Sequence, residues 1–238
     1  MKRYIYLLLA ILVILPCFAS SYNLHSPNDY KNIDIEQDEK TLFILDYSNS
    51  MNEQIYGERK FDMMVDTMRQ ILPQINPQKQ IGLRIYGHRL GFTPMDGCRA
   101  SSLVAPISSN NGANIEQTLI KSKPRGMTPI TYSLKQAIHN DFIGFNGKKH
   151  IILLTDGGEN CDESPCKYVM NLIKYRKDVN IDVIAFNISD EDDLEQLKCT
   201  ALVTSGKFYN PQTSAELLNS FNNTIQRTKS VEAKIITH

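Results

Sequence analysis

The chain has 238 residues, 42% of them apolar, and a formal net charge of zero at neutral pH. That composition can bury one good core. It gives no support for a nucleic-acid partner, which needs a basic face, and it argues against a polybasic membrane-surface module.

The chain begins with Lys2 and Arg3, an apolar run from Ile5 to Leu15, the breaker Pro16, and then Cys17-Phe18-Ala19-Ser20-Ser21. This is a secretory signal-peptide pattern over residues 1–19, cut after Ala19. It places the mature protein in a periplasm, at a cell surface or outside the cell. An uncleaved anchor would need about 20 apolar residues. A lipid anchor at Cys17 would need a small residue where Pro16 stands. No membrane span is expected once the leader is removed. Of the five cysteines, Cys17 leaves with the leader, and Cys98, Cys161, Cys166 and Cys199 remain. An even count in an exported chain points to two disulfides, and at this level all three pairings stay open.

Residues 20–38 are polar and aperiodic and read as a linker. One domain then spans 39–228, followed by a tail over 229–238. Thr41-Leu42-Phe43-Ile44-Leu45 reads as a buried strand. It runs into Asp46-Tyr47-Ser48-Asn49-Ser50. Here a carboxylate and two hydroxyls alternate, a spacing that can aim three hard oxygens at one point. Only one of them is charged, which suits Mg²⁺ better than Ca²⁺. Taken alone, these are also ordinary turn and cap residues.

Phe61, Met64, Val65, Met68, Ile71 and Leu72 form one helical face that Pro73 closes. A second strand is predicted over 81–86 and ends in Gly87-His88-Arg89, with His88 read as a packing residue. Residues 90–99 read as a loop holding Cys98. An edge strand over 102–107 and a weak helix over 110–121 follow. Pro124-Arg125-Gly126-Met127-Thr128-Pro129 is a defined loop, with Pro129 the first helical residue and Thr128 an N-cap. Ile130, Leu134, Ala137 and Ile138 face inward on that helix. The strand 150–155 is the most apolar in the mature chain and terminates in Asp156-Gly157-Gly158-Glu159, with Glu159 read as a solvated loop residue. Helix 165–176, strand 181–186, helix 190–203, strand 207–209 and helix 213–228 complete the domain.

Strands alternating with helices make an α/β fold with a mostly parallel sheet. Ligands of such sheets bind beyond the C-terminal ends of the strands. Asp46 and Asp156 each end an apolar strand, and Thr128 lies in a loop that opens a helix.

Asp46-x-Ser48-x-Ser50, then Thr128, then Asp156 resembles the metal-ion-dependent adhesion site of von Willebrand factor type A domains, with all five positions filled in order. The resemblance covers about residues 38–228. Gln54-Ile55-Tyr56-Gly57, Tyr86-Gly87-His88-Arg89 and Ser205-Gly206-Lys207-Phe208-Tyr209 resemble exported bacterial members. Asn49 stands where Gly is common and Asn52 follows Met51, and neither departure removes a ligand. The resemblance implies a doubly wound, six-stranded sheet in the order 3-2-1-4-5-6 with the third strand antiparallel at an edge. It implies Mg²⁺ or Mn²⁺ held by the hydroxyls of Ser48, Ser50 and Thr128, with Asp46 and Asp156 acting largely through bound water. One position would stay open for an Asp or Glu of a partner protein. The implied strand order puts Cys98 and Cys199 toward opposite edges, beyond the roughly 7 Å a bridge can span. That disfavours the pairing that also joins Cys161 to Cys166, and the pairing hypothesised from the resemblance is Cys98–Cys161 and Cys166–Cys199. The function that follows is protein binding, not catalysis. Against a metal-dependent hydrolase or phosphatase using Asp46, the sequence shows no second carboxylate beside it, no Gly-x-Ser-x-Gly, no phosphate loop and no His-rich cluster. Against a structural domain with a vestigial site stand the intact ligands.

Overall fold

The computed structural model describes residues 39–226. The leader, the linker at 20–38 and the tail at 229–238 lie outside the described residues. The main sheet has six strands: β1 (Glu39–Asp46), β2 (Gln80–Tyr86), β3 (Ser101–Ser108), β4 (Lys148–Thr155), β5 (Val179–Ala185) and β6 (Phe208–Tyr209). Their order is β3-β2-β1-β4-β5-β6. All neighbours are parallel except β2 and β3, so the expected topology with one antiparallel edge is present.

Among the described residues, six helices longer than one turn flank the sheet: α1 (Lys60–Ile71), α2 (Gly112–Leu119), α3 (Ile130–Gln136), α4 (Pro165–Leu172), α5 (Glu191–Val203) and α6 (Ser214–Ile225). Among the described residues no helix is long and apolar enough to cross a membrane. Side chains of a strand alternate between its two faces. Phe43 and Leu45 of β1 therefore join Leu83, Ile152 and Leu154 beneath α1, α2 and α6. Leu42 and Ile44 join Ile151, Leu153 and Val183 beneath α3, α4 and α5. Burial on both faces explains why β1 and β4 read as continuous apolar runs rather than alternating ones. Each fully buried Leu, Ile or Phe contributes about 1.5–3 kcal/mol.

Charged side chains inside this scaffold are paired one to one or better. Arg84 reaches Asp141 through Nε and Nη2 at 2.6 and 2.7 Å, both side chains being nearly inaccessible. Asp141 ends a π-helical turn, Ala137–Asp141, that continues α3. At the start of β4, Lys149 donates to Asp178 at 2.6 Å, and Arg176 grips the same carboxylate.

Both disulfides implied by the resemblance are formed. Cys98–Cys161 and Cys166–Cys199 have Cα separations of 5.5 and 5.4 Å. The second ties α4 to α5. Several local expectations change. Residues 90–99 contain a helical turn, Pro94–Gly97, closed by a Thr93–Asp96 capping box. The helix expected over 165–176 ends at Leu172, and the strand expected over 181–186 starts earlier, at Val179. A further change, at Thr128, bears on the site.

Candidate metal centre

β1 and β4 lie side by side with Leu45 opposite Leu154. Their C-terminal ends therefore deliver Asp46 and Asp156 to the same place. Asp46 is inaccessible and Asp156 nearly so. The Asp46 Oδ1 accepts the Ser48 N–H at 2.6 Å, a local turn that folds the chain back on its own carboxylate. Its Oδ2 accepts the Thr155 hydroxyl at 2.9 Å. The Ser48 and Ser50 hydroxyls are 2.9 Å apart, and Ser50 donates to Asp156 Oδ1 at 2.6 Å. Four of the five expected residues thus form one hydrogen-bonded chain.

Thr128 enters through the backbone of its loop. Asn49 N–H donates to Gly126 C=O at 3.0 Å, Arg125 N–H to Tyr47 C=O at 3.1 Å, and Gly126 N–H to Gly87 C=O at 2.7 Å. Asn52 Nδ2 bridges the carbonyls of Asn49 and Pro124. Gly87 is the seam of this crossing. Its φ is +70°, and a Cβ there would stand 2.6 Å from Ser48 N, so only glycine fits. Thr128 itself is buried, and its N–H donates to Asn160 Oδ1 at 2.7 Å. It does not cap α3. Pro129 occupies the N-cap and the helix starts at Ile130. The Thr128 hydroxyl is therefore outside both the cap and the chain of four.

The cap expected of Thr128 is supplied from elsewhere. Glu159 Oε2 accepts the Thr131 N–H at 2.6 Å, and Oε1 accepts the Cys161 N–H at 3.1 Å. Glu159 is thus a half-buried anchor at the start of α3 rather than a solvated loop residue. Burial raises its pKa above the usual glutamate value. His88 packs as expected, with Nε2 3.2 Å from the Ser102 hydroxyl.

The electrostatics of the centre are lopsided. Burial, and then the charge of Asp156, push the Asp46 carboxyl up to about 7. The nearby cation is Lys60, which the sequence reading did not single out. Its Nζ donates to Asp156 Oδ2 at 3.0 Å and to Glu53 Oε2 at 2.8 Å, and its side chain is only 6% exposed. Burial alone would lower the Lys60 pKa, but the hydrogen bonds and charges of Glu53 and Asp156 outweigh it and hold the value above that of an ordinary lysine. Two carboxylates, Asp156 and Glu53, thus share one ammonium. The signal was present in the sequence: Lys60 lies one helical turn before Met64, on the apolar stripe of α1, where a charge needs a partner.

Among the described residues no group of three His, Cys, Asp or Glu side chains could hold a metal ion. The donors here are of another kind, two carboxylates and three hydroxyls. Such a hard, all-oxygen set is one that suits Mg²⁺ or Mn²⁺ rather than the softer transition metals.

The chain belongs to the von Willebrand factor type A domain family, whose family model matches residues 42–224. It is similar to the Bacillus subtilis (strain 168) protein YwmD, at 25% identity over 198 residues, covering 81% of this chain and 87% of that protein. Among solved structures it is similar to proximal thread matrix protein 1 from the mussel byssus, in a form with a zinc-occupied MIDAS motif. There the TM-score is 0.61 and the identity 20%, over 82% of this chain and 46% of that one, so the match spans less than half of the mussel protein. It is also similar to the vWF domain of the type V pili tip protein Mfa5 from Porphyromonas gingivalis, with a TM-score of 0.56 and 15% identity over 80% of this chain and 95% of that one. At these identities the two structural likenesses speak for the fold alone.

Proposed function

We propose that this protein is an exported, non-enzymatic binding module. Asp46, Ser48, Ser50, Thr128 and Asp156 hold one divalent cation, Mg²⁺ or Mn²⁺, and the partner is a protein that presents an Asp or Glu carboxylate to it. The observation that carries this is the hydrogen-bonded chain from Asp46 through Ser48 and Ser50 to Asp156, gathered where β1 and β4 end. Two carboxylates there press on one another, and Asp46 has to give up a proton to become a full anion. A bound cation supplies positive charge at that point and an electrophilic position for an incoming carboxylate.

The remaining residues hold the frame. Ser48 and Ser50 are presented by the turn that Asp46 closes on the Ser48 N–H. Thr128 is held from two sides, by Asn160 and by the backbone crossing at Gly126. Lys60 fixes one oxygen of Asp156 and leaves the other to Ser50. Since the Thr128 hydroxyl is not used as a cap, it is available as a donor.

The mussel protein with zinc in its MIDAS motif supports a metal at this position, and family members commonly serve in adhesion and protein–protein binding. Export is supported by the leader pattern over residues 1–19 and by two disulfides, which persist in oxidising compartments. The mature protein would be a linker over 20–38, the domain at 39–228 and a short tail. It would reside in the periplasm, at the cell surface or in the medium.

Calorimetric titration of the mature protein with Mg²⁺ and Mn²⁺ tests the reading. Wild type should give saturable binding that disappears in Asp46→Ala and in Thr128→Ala, with far-UV circular dichroism unchanged. A folded wild type that binds neither ion overturns it.

A further inference from the structure

Exposed large apolar side chains are ordinary when scattered. Around this centre they are not scattered. Leu90, Phe92 and Met95 are 72%, 106% and 65% exposed and lie on one short loop between β2 and β3. That loop is tied down at both ends against the metal-site loops. At its start, a Cβ on Gly126 would stand 2.5 Å from the Arg89 carbonyl, and Gly87 abuts Ser48. At its end, Cys98 is bridged to Cys161, just beyond Asp156 and Glu159, and Gly97 lies against the Met127 side chain. Between them the Thr93–Asp96 capping box closes the tip. A loop held in this way presents its apolar groups with little ordering entropy left to lose on binding. Arg89, Arg99 and Arg125, on this loop and the adjacent one, are all exposed.

We propose that this rim reads the residues that flank the partner's metal-seeking carboxylate. The occupant is an acidic protein segment in which a large apolar side chain lies within two residues of the Asp or Glu. The apolar residue packs on Leu90, Phe92 and Met95, and the arginines favour further acidic residues. The metal centre supplies the shared anchor and the rim supplies the choice among acidic partners. The inference rests on the binding function proposed above.

The test uses phage-displayed peptides with a fixed central Glu and random flanks, selected on the immobilised mature protein in Mg²⁺. The comparison is the variant carrying Leu90→Ser, Phe92→Ser and Met95→Ser, whose Mg²⁺ binding is followed by calorimetry. Enriched peptides should carry Phe, Leu, Met or Trp within two residues of the Glu. Their affinity should fall at least tenfold in the variant while its Mg²⁺ heat stays unchanged. Three results overturn the inference while leaving the metal site standing: peptides without an apolar preference, affinity unaffected by the variant, or no enrichment by metal-loaded wild type. So does a wild-type dimer in sedimentation that the variant dissolves, which would put a second copy on the rim. Wild type that fails to bind Mg²⁺ brings down the site and the rim together.

Discussion

At the start of β4 and β5, Asp178 accepts hydrogen bonds from Lys149 at 2.6 Å and from Arg176 at 2.9 and 3.0 Å. At the other end of the same sheet, Asp46 faces a second carboxylate, and the Lys60 ammonium is already divided between Asp156 and Glu53. The same side chain is driven in opposite directions. The Arg176 hydrogen bonds, with help from Lys149, hold Asp178 well below the usual aspartate range despite its partial burial, whereas Asp46 is pushed up to about 7. The scaffold's buried charges are balanced within the chain. Those at the strand C-termini fall short of positive charge, and an external cation can make up the difference. Asp46 is fully buried and faces a like charge, whereas Asp178 is only partly buried and takes its hydrogen bonds from cations.

The comparison breaks most visibly if a balanced pair is unbalanced. Arg84→Met should leave Asp141 buried without its guanidinium and cost about 3–5 kcal/mol, the penalty for stranding one buried charge. In a domain of this size that lowers the midpoint of thermal unfolding by about 10 °C. Mg²⁺ affinity measured below the new midpoint should be unchanged. A variant as stable as wild type would mean that Asp141 simply takes up a proton, and that the scaffold pairs are less committed than their geometry indicates.

Removing a charge from the unbalanced end should do the reverse. Asp46→Asn keeps the size of the side chain and abolishes Mg²⁺ binding, yet the metal-free domain should gain about 2 kcal/mol at pH 8, as when a poorly compensated buried ion is replaced by a neutral group. The pH dependence carries the sign. Folded Asp46 keeps its proton up to about 7, whereas the unfolded group loses it near 3.8. Between those values the folded state binds more protons, so the stability of the metal-free protein falls as pH rises from about 4 to about 7 and then levels off. Glu159, also raised by burial, adds to the same slope. Urea unfolding in EDTA should show the fall for wild type and a much shallower one for Asp46→Asn. Saturating Mg²⁺ should reverse it by favouring the ionised carboxylate. Stability of metal-free wild type that rises over this range would refute the charge imbalance.

What the sequence made legible at this end, and what it hid, divides along the same line. Asp46, Ser48 and Ser50 are set by local spacing after a strand, and the strand announces itself by being apolar on both faces. Asp156 follows from the same pattern in β4. The pairing of the cysteines and the strand order came through the family resemblance, not through composition. Lys60 announced its need for a partner, but three outcomes were out of reach. Lys60 finds Asp156 across 96 positions of sequence. Glu159 folds back onto the Thr131 N–H. Thr128 is excused from capping because Pro129 takes the position. The helix-start lysine and the loop glutamate acquire their roles from tertiary partners, and the threonine gives up the cap to its own neighbour. Of the hidden contacts, the one from Lys60 bears directly on the charge of the centre, because it already meets one oxygen of Asp156 from within the chain.

Glu53 offers the finest adjustment of that charge. It is the third carboxylate of the group, but its side chain is 65% exposed, unlike that of Asp156. Its ion pair with Lys60 should therefore contribute little to stability, and Glu53→Gln should cost less than about 1 kcal/mol. Losing it hands Lys60 entirely to Asp156 and removes one negative charge from the neighbourhood of the metal site. At protein-like dielectric a screened unit charge several Å away is worth up to about 1 kcal/mol. Mg²⁺ affinity should therefore weaken about two- to fivefold, with the difference shrinking as salt is raised. Calorimetry at low and high ionic strength separates the alternatives. Complete loss of binding would make Glu53 a direct ligand and enlarge the donor set. Tighter binding would mean that Glu53 holds Lys60 in the way of the cation rather than drawing it off Asp156, and the ammonium, not the carboxylates, would then be the group that governs occupancy.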